Sequence, residues 1–293
     1  MTIGTFDGVH IGHQKIIKRL LTVAKTKNIE AALLTFFPHP RMVIQKDANI
    51  KLINTIEEKS TILKNLGLNH LIIKEFDTAF SRLSAEEFVK NILVDELNAK
   101  HVIIGYDHHF GRNRAANITH LKVFGETYQF EVDEISAQDI NEVAVSSTKI
   151  RKALLDGDIT TANCYLGYNF MLTGEVVKGK SIGRTINFPT ANIRIKEDYK
   201  LIPKKGVYIV KTQYNNSAFW GMMNIGNNPT VAGKQKTIEV HLFDFNENIY
   251  GEVLVIEMYK RLRKEEKFES VDRLKSQLEK DKIAALSYIE ENA

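Results

Sequence analysis

The sequence predicts two domains in tandem: an α/β domain built on a parallel sheet, then a small antiparallel β-barrel with a C-terminal helix. Three observations predict this. The 293 residues amount to about two domains at roughly 100–200 residues each. Through the first half, short apolar runs of strand length alternate with helical periodicity, which is the pattern of βαβ units. Beyond Tyr168 the strand runs follow one another with turn residues and no helix between them. The boundary is expected at Cys164–Tyr168, giving domains 1–164 and 165–293.

Each element has a local cause. Gly4–His13 precedes a helix on which Ile16, Ile17, Leu20, Leu21 and Ala24 share one face. Ala31–Phe37, Leu71–Lys74 and His101–Tyr106 read as strands. Ser84, with Glu87 three residues on, reads as a capping box opening a helix towards Leu97. Parallel strands with helical crossovers place ligands at the carboxyl ends of the strands. In the second half, Phe170–Val177, Gly206–Gln213, Ala218–Ile225, Thr237–Phe243 and Ile249–Met258 are strand candidates. Asn215-Asn216, Asn227-Asn228-Pro229 and Asn246-Glu247-Asn248 supply turn chemistry. From Glu269 the chain reads as a helix, with Val271, Leu274 and Leu278 on one face.

Composition excludes several classes of function. Forty basic side chains stand against 36 acidic ones, a net charge of +4, without the basic stripe of a nucleic-acid binder. Cys164 is the only cysteine, so there is neither an internal disulfide nor a CxxC zinc or redox site. Apolar runs such as Ala31–Phe37 are far shorter than the ~18 residues of a membrane span. Asp7, His10 and His13 interrupt any signal-peptide pattern at the start. The expectation is a soluble, cytoplasmic protein whose partners are small molecules, with neither nucleic acid nor membrane; weak self-association stays open.

The first chemical motif is Gly4-Thr5-Phe6-Asp7-Gly8-Val9-His10-Ile11-Gly12-His13. Two histidines three apart, with small Gly12 between them, fall on one face at a helix N-terminus. Orphan N–H groups and the helix dipole favour phosphate there. Imidazole N–H donors add hydrogen bonds to a phosphate whose charge rises in a transition state. Singly, Gly8 is a turn glycine, Asp7 an N-cap and His10 a surface histidine. As a string they resemble the HxGH nucleotidyltransferase signature, and His10–His13 spells HIGH, as in class I aminoacyl-tRNA synthetases. A later motif, Ser146-Ser147-Thr148-Lys149-Ile150-Arg151, puts hydroxyls at a helix start and cations one turn in, which suits a triphosphate.

Together these resemble the Rossmann-like adenylyltransferase module of bacterial bifunctional riboflavin kinase/FAD synthetases. Thr35-Phe36-Phe37-Pro38-His39-Pro40 and Gly105-Tyr106-Asp107-His108-His109-Phe110-Gly111 extend the resemblance. It implies that FMN attacks the α-phosphate of ATP and releases pyrophosphate. His10 and His13 would be catalytic, with Gly4, Phe6, Asp7, Gly12, Ser146, Ser147, Thr148 and Arg151 on ATP. Phe36, Pro38, His39, Asp107 and Phe110 would face the flavin. Two departures stand out: Lys149 replaces a frequent arginine, and His108-His109 replaces an aromatic-arginine pair.

The second motif, Gly174-Glu175-Val176-Val177-Lys178-Gly179-Lys180-Ser181, literally matches the P-loop pattern. A P-loop needs a helix at its Lys-Ser end, yet glycine and proline follow, and Val176 and Val177 make the supposed loop a strand. Read onward through Ile182-Gly183-Arg184-Thr185-Ile186-Asn187-Phe188-Pro189-Thr190-Ala191-Asn192, the segment resembles the riboflavin kinase signature. The resemblance implies phosphate binding by Gly179, Gly183 and Arg184, Mg²⁺ held by Thr190 and Asn192, and Glu239 as general base. By periodicity alone, Ile238, Val240 and Leu242 bury one face of a strand and leave Glu239 and His241 on the other. The implied activities are phosphorylation of riboflavin to FMN, then adenylylation to FAD, with ATP, riboflavin and FMN as substrates. Riboflavin's hydroxyl needs a base, whereas a phosphate monoester, with a second pKa of about 6, is already anionic. The adenylyl transfer then needs alignment and charge neutralisation, assigned to His10, His13, Arg151 and Mg²⁺. Two rivals remain: a catalytically impaired flavin- or nucleotide-binding regulatory protein, and an aminoacyl-adenylate-forming enzyme.

Overall fold

The computed structural model describes residues 1–45, 50–105, 108–135, 145–179, 183, 186–230 and 233–292. By their own contacts these form two units, Met1–Ser147 and Thr148–Ala293.

The first unit contains β1 (Thr2–Ile3), α1 (Ile11–Lys27), β2 (Ala32–Phe37), α2 (Pro40–Ile44), α3 (Ile56–Asn65) and β3 (His70–Glu75). Then come α4 (Ala85–Glu87), which runs on as a π-helical segment (Phe88–Glu96), β4 (His101–Gly105), α5 (Ile118–Tyr128) and β5 (Glu131–Ile135). The five strands are parallel in the order β3-β2-β1-β4-β5. The chain enters at the centre, runs outward through β2 and β3, and returns to the other side as β4 and β5. Strand order therefore reverses between β1 and β4, and the loop after β1 lies at the point where such sheets bind ligands. Helix α1 buries Ile17, Leu20, Val23 and Ala24 and ends at Asn28, which is left-handed at φ 53° and donates its N–H to Ala24 and Lys25 carbonyls. The expected capping box forms with both halves, Ser84 to Glu87 and back. It starts a helix whose Phe88, Val89, Ile92 and Leu93 pack with Val102, Ile104 and Leu121 in the core.

The second unit carries α6 (Ser147–Asp156, starting at the last residue of the first unit), α7 (Ile159–Leu166), β6 (Met171–Val177), β7 (Ala191–Arg194) and β8 (Gly206–Tyr214). It continues with β9 (Ser217–Thr230), β10 (Gly233–Leu242), β11 (Val253–Arg263) and α8 (Val271–Asn292). The strands close an antiparallel barrel in the order β10-β7-β6-β11-β8-β9. Asn215 and Asn216, both at positive φ, make the β8–β9 hairpin as expected. Helix α8 lays Leu274, Leu278, Ala285, Tyr288 and Ile289 against Ile186, Phe188, Met222 and Phe243. A buried pair, Arg263 to Asp281 at 2.7 Å, fixes it to β11.

Three expectations are corrected, and a contact division lies apart from the expected domain boundary. Asn227-Asn228-Pro229 is no turn: β9 stays paired with β10 until Thr230 lies opposite Gly233. The last strand begins at Val253, not Ile249, because Gly251 at φ 85° turns the chain first. Val271 is 55% exposed and so leaves the buried face of α8. The contact division falls at 147/148, seventeen residues before the expected 164/165.

The contact division has visible causes. The side chain of Asn163 donates to the Met258 carbonyl and accepts from Phe170 N–H, each at 2.8 Å. Lys204 N–H donates to the Leu154 carbonyl at 3.0 Å. A Cβ on Gly157 would lie 2.9 Å from the Arg261 side chain, so α6 and α7 sit tightly on the barrel. A fragment beginning at Thr148 is therefore expected to melt at a higher temperature than one beginning at Tyr165, which loses these contacts. Equal melting temperatures in circular dichroism would show that the two helices add nothing to the barrel.

Candidate active sites

The loop after β1 is held from several sides. Gly4 N–H donates to the Leu34 carbonyl at 3.0 Å. The Thr5 carbonyl accepts from Lys59 Nζ at 2.7 Å and Thr35 Oγ1 at 3.2 Å. Asp7 is 2% exposed, and its Oδ1 accepts from Ile53 N–H at 2.9 Å and Asn54 N–H at 3.5 Å. The Ser147 hydroxyl donates to the Asp7 carbonyl at 2.8 Å. Phe6, Gly8 and Val9 all take positive φ (44°, 86° and 34°). For non-glycine residues, above all β-branched Val9, that costs about 1–3 kcal/mol each. Gln14 Nε2 offsets part of it by donating to the Val9 carbonyl at 2.9 Å.

This loop delivers the two histidines to the start of α1. His10, not Asp7, is the N-cap: its Nδ1 accepts from His13 N–H at 3.4 Å. With Nδ1 accepting, the neutral ring carries its proton on Nε2. The two imidazoles stack, with centroids 3.6 Å apart and planes 18° apart, and Phe6 lies 4.6 Å from His13. A Cβ on Gly12 would come within 3.2 Å of His10 Nδ1, which explains the small residue between the histidines. Burial lowers the His10 pKa to about 4. Burial, then His10 and Lys59, lower that of His13 well below its ordinary value. Two charged imidazoles could not stack so closely. Burial and stacking therefore both favour the uncharged form of the two rings.

The cation that sequence reasoning missed is Lys59, which is 4% exposed with its pKa lowered by burial to about 8. A signal existed. Thr55-x-x-Glu58 is a capping box, and Lys59 lies three and four residues before Ile62 and Leu63 on the buried face of α3.

Phe36, Pro38 and His39 lie at and just after the carboxyl end of β2. Phe36 is half-buried against Phe76 and Phe80, 5.8 and 5.6 Å away, two aromatic residues the sequence reading passed over. Pro38 follows a cis peptide bond, and His39 caps α2 through Nδ1, accepting from Arg41 N–H at 3.2 Å. Phe110 is 8% exposed, bonded to Ala116 and packed on Phe88, so it belongs to the core. Ser146 precedes α6, and Thr148 and Arg151 follow Ser147 along that helix. Asp107 and Arg184 lie outside the described residues.

In the second unit Gly174–Val177 lies inside β6, so the P-loop match is indeed a strand. Glu239 pairs with Asn192 across β10 and β7, and Val177 pairs with Asn192 on its other side. Ile238, Val240 and Leu242 are buried and Glu239 and His241 half-buried, as the alternation predicts. A Cβ on Gly179 would lie 2.0 Å from Asn192 Nδ2, and one on Gly183 would lie 2.1 Å from the Phe188 carbonyl. At Gly183 the clash is with backbone, so only glycine fits; at Gly179 a Cβ would have to displace the Asn192 amide. His241 Nδ1 bonds the Pro189 carbonyl at 2.8 Å and so ties the segment leading to Thr190 onto β10.

Comparison with known proteins agrees with this geometry. The FAD synthetase family profile matches residues 1–149, and the riboflavin kinase profile matches residues 166–289. The chain belongs to the bifunctional riboflavin kinase/FAD synthetase family. Relatives named bifunctional riboflavin kinase/FMN adenylyltransferase include one from Listeria monocytogenes, 42% identical over 96% of this chain and 89% of its own. Another, from Bacillus subtilis, is 38% identical over 98% and 92%. A solved structure titled a macrolide-efflux protein, from Streptococcus pneumoniae, is similar over 97% of this chain and 92% of its own, with a TM-score of 0.87 and 32% identity. Among the described residues of this family member, no helix is long and apolar enough to cross a membrane.

The buried histidines make stability depend on pH. His10 has a lowered folded-state pKa, about 4 against 6.5, so the unfolded chain binds more protons between those values. Stability is therefore lost as pH falls from about 6.5 towards 4. At pH 5 the His10 contribution amounts to about 2 kcal/mol, and His13 acts in the same direction. His10→Asn, which keeps an N-cap acceptor, is expected to lose less stability than the parent between pH 7 and pH 5. Urea unfolding at the two pH values measures it; equal losses would show His10 is not buried as a neutral ring.

Proposed function

We propose that the second unit phosphorylates riboflavin to FMN at the expense of ATP, and that the first adenylylates FMN to FAD with release of pyrophosphate. For the first unit the reading rests on the stacked, neutral His10–His13 pair at the N-terminus of α1, on the switch point of a parallel sheet. FMN's phosphate is the nucleophile and needs no base. The Nε2–H of His10 and the N–H groups opening α1 are placed to meet a phosphate whose negative charge grows as pyrophosphate leaves. Ser146 and Ser147 continue the polar lining, and Phe36, Pro38 and His39 are assigned to the flavin side. Asp7 acts through the loop, since its carboxylate is committed to the Ile53 and Asn54 backbone.

In the second unit Glu239 is the proposed base that accepts the proton of riboflavin's 5′-hydroxyl. Its register opposite Asn192 is the observation that carries this assignment. Kinases of this family imply Mg²⁺, and the oxygens present suit a hard cation: the Thr190 hydroxyl and the Asn192 amide, whose side chain fills the space a Cβ on Gly179 would take. Bound there, Mg²⁺ would neutralise charge on the transferring phosphate. Gly179 and Gly183, with no Cβ, let the backbone come close to phosphates. A single cysteine and small-molecule substrates support a cytoplasmic location.

The reading is tested by following riboflavin, FMN and FAD with ATP and Mg²⁺. Glu239→Gln is expected to slow riboflavin phosphorylation by ~10²–10⁴-fold and to leave FMN adenylylation in place. His13→Ala is expected to do the reverse, lowering adenylylation by ~10²–10³-fold through kcat. Loss of both reactions in either variant would refute two separate sites. Gly179→Ala displaces Asn192, so it is expected to raise the Mg²⁺ concentration needed for half-maximal kinase rate. An unchanged Mg²⁺ dependence would remove Asn192 from the metal site.

A further inference from the structure

We propose that Lys59 is a positioning residue of the adenylyl-transfer site: its ammonium holds the Thr5 carbonyl of the loop that carries His10 and His13, and its charge adds to burial in keeping His13 an uncharged donor. The proposal rests on the adenylyltransferase reading of the first unit. Lys59 comes from α3 and reaches the loop from behind, where Nζ meets the Thr5 carbonyl at 2.7 Å. That is the one hydrogen bond of the Lys59 ammonium among the described residues, although an ammonium carries three donors. Burying such a group, 4% exposed, is costly unless charge is used locally. A methionine would fill the same volume without that cost.

The charged and titratable groups around the pair are few. Asp7 raises the pKa of both His10 and Lys59, while His10 and Lys59 both lower that of His13. Glu58, the neighbour on α3, accepts from Thr55 N–H in the capping box. His13 Nδ1 is buried and has no hydrogen-bond partner among the described residues, so burial first, and then the nearby positive charges, oppose protonation of that ring. A fixed positive charge behind the loop opposes it, and it also adds positive potential where the loop faces phosphate.

The test uses full-length Lys59→Met and Lys59→Arg. In Lys59→Met, kcat for FMN adenylylation is expected to fall ~10–100-fold, as for loss of a charge-assisted hydrogen bond. The acid limb of its pH profile should move to higher pH, whereas FMN's own ionisation is common to all variants. Lys59→Arg should restore the parental acid limb, and riboflavin phosphorylation should be unchanged throughout. Histidine-selective ¹⁵N NMR reads the same effect without turnover: His13 should titrate at higher pH in Lys59→Met than in the parent. A fall in kcat with neither the acid limb nor the His13 titration displaced would reduce Lys59 to a structural role and overturn the proposal. A parent protein that makes no FAD, with the His13 displacement still observed, would instead refute the adenylyltransferase reading and leave the electrostatic role of Lys59 standing.

Discussion

The first unit turns on Asp7. One buried residue joins three segments far apart in sequence: its carboxylate accepts from the backbone before α3, and its carbonyl accepts from the hydroxyl that opens α6. A carboxylate so deep in a protein is tolerable only with such partners. Without it, the left-handed backbone of Phe6 and Val9 would be held only by Gln14 on the Val9 carbonyl and by Lys59 and Thr35 on the Thr5 carbonyl. The place of His10 and His13 is thus set by a side chain bonded to the backbone ahead of α3. Geometry at the phosphate end of α1 is inherited from backbone hydrogen bonds on the other side of the loop.

In the second unit the comparable constraint is closeness of approach. β7 is four residues long and lies so near β6 that a Cβ on Gly174 would come within 2.6 Å of the Ile193 side chain, while Gly179 faces the Asn192 amide. The missing side chains bring the backbone of one strand to the functional oxygens of the next. His241 then ties the preceding segment down through the Pro189 carbonyl, and Phe188 anchors it in the cluster under α8. Among the described residues of the kinase signature, Gly179, Phe188, Pro189 and Asn192 are held close to the strands of the barrel.

The comparison between sequence and structure follows from what each residue's neighbours are. Both signatures were legible because their spacing is local: Gly8 takes φ 86°, Gly183 leaves no room for a Cβ beside the Phe188 carbonyl, and Gly12 and Gly179 make room for the His10 and Asn192 side chains. Lys59 was not, because Glu57-Glu58-Lys59 looks like a solvated helical turn until the apolar Ile62 and Leu63 beside it are weighed. Strand β7 was hidden by its length, and Asn227-Asn228-Pro229 misled because turn-forming residues also occur in a long strand whose pairing is set by its partner. The protonation of the histidines was invisible to sequence, since burial decides it and burial is a tertiary property.

The two units treat their sheet margins in opposite ways. An open parallel sheet has two unpaired borders, β3 and β5, each able to recruit a foreign strand. Here those borders carry charge: Lys74 of β3 pairs with Glu96, and Glu131, Asp133 and Glu134 of β5 face Lys27, Arg19 and Lys122. The barrel has no border at all, because β10 closes onto both β9 and β7. A chain that must fold two sheets in succession runs the hazard of pairing strands between them. Closure of one sheet and charging of the other leave the finished units no edge on which to add each other's strands.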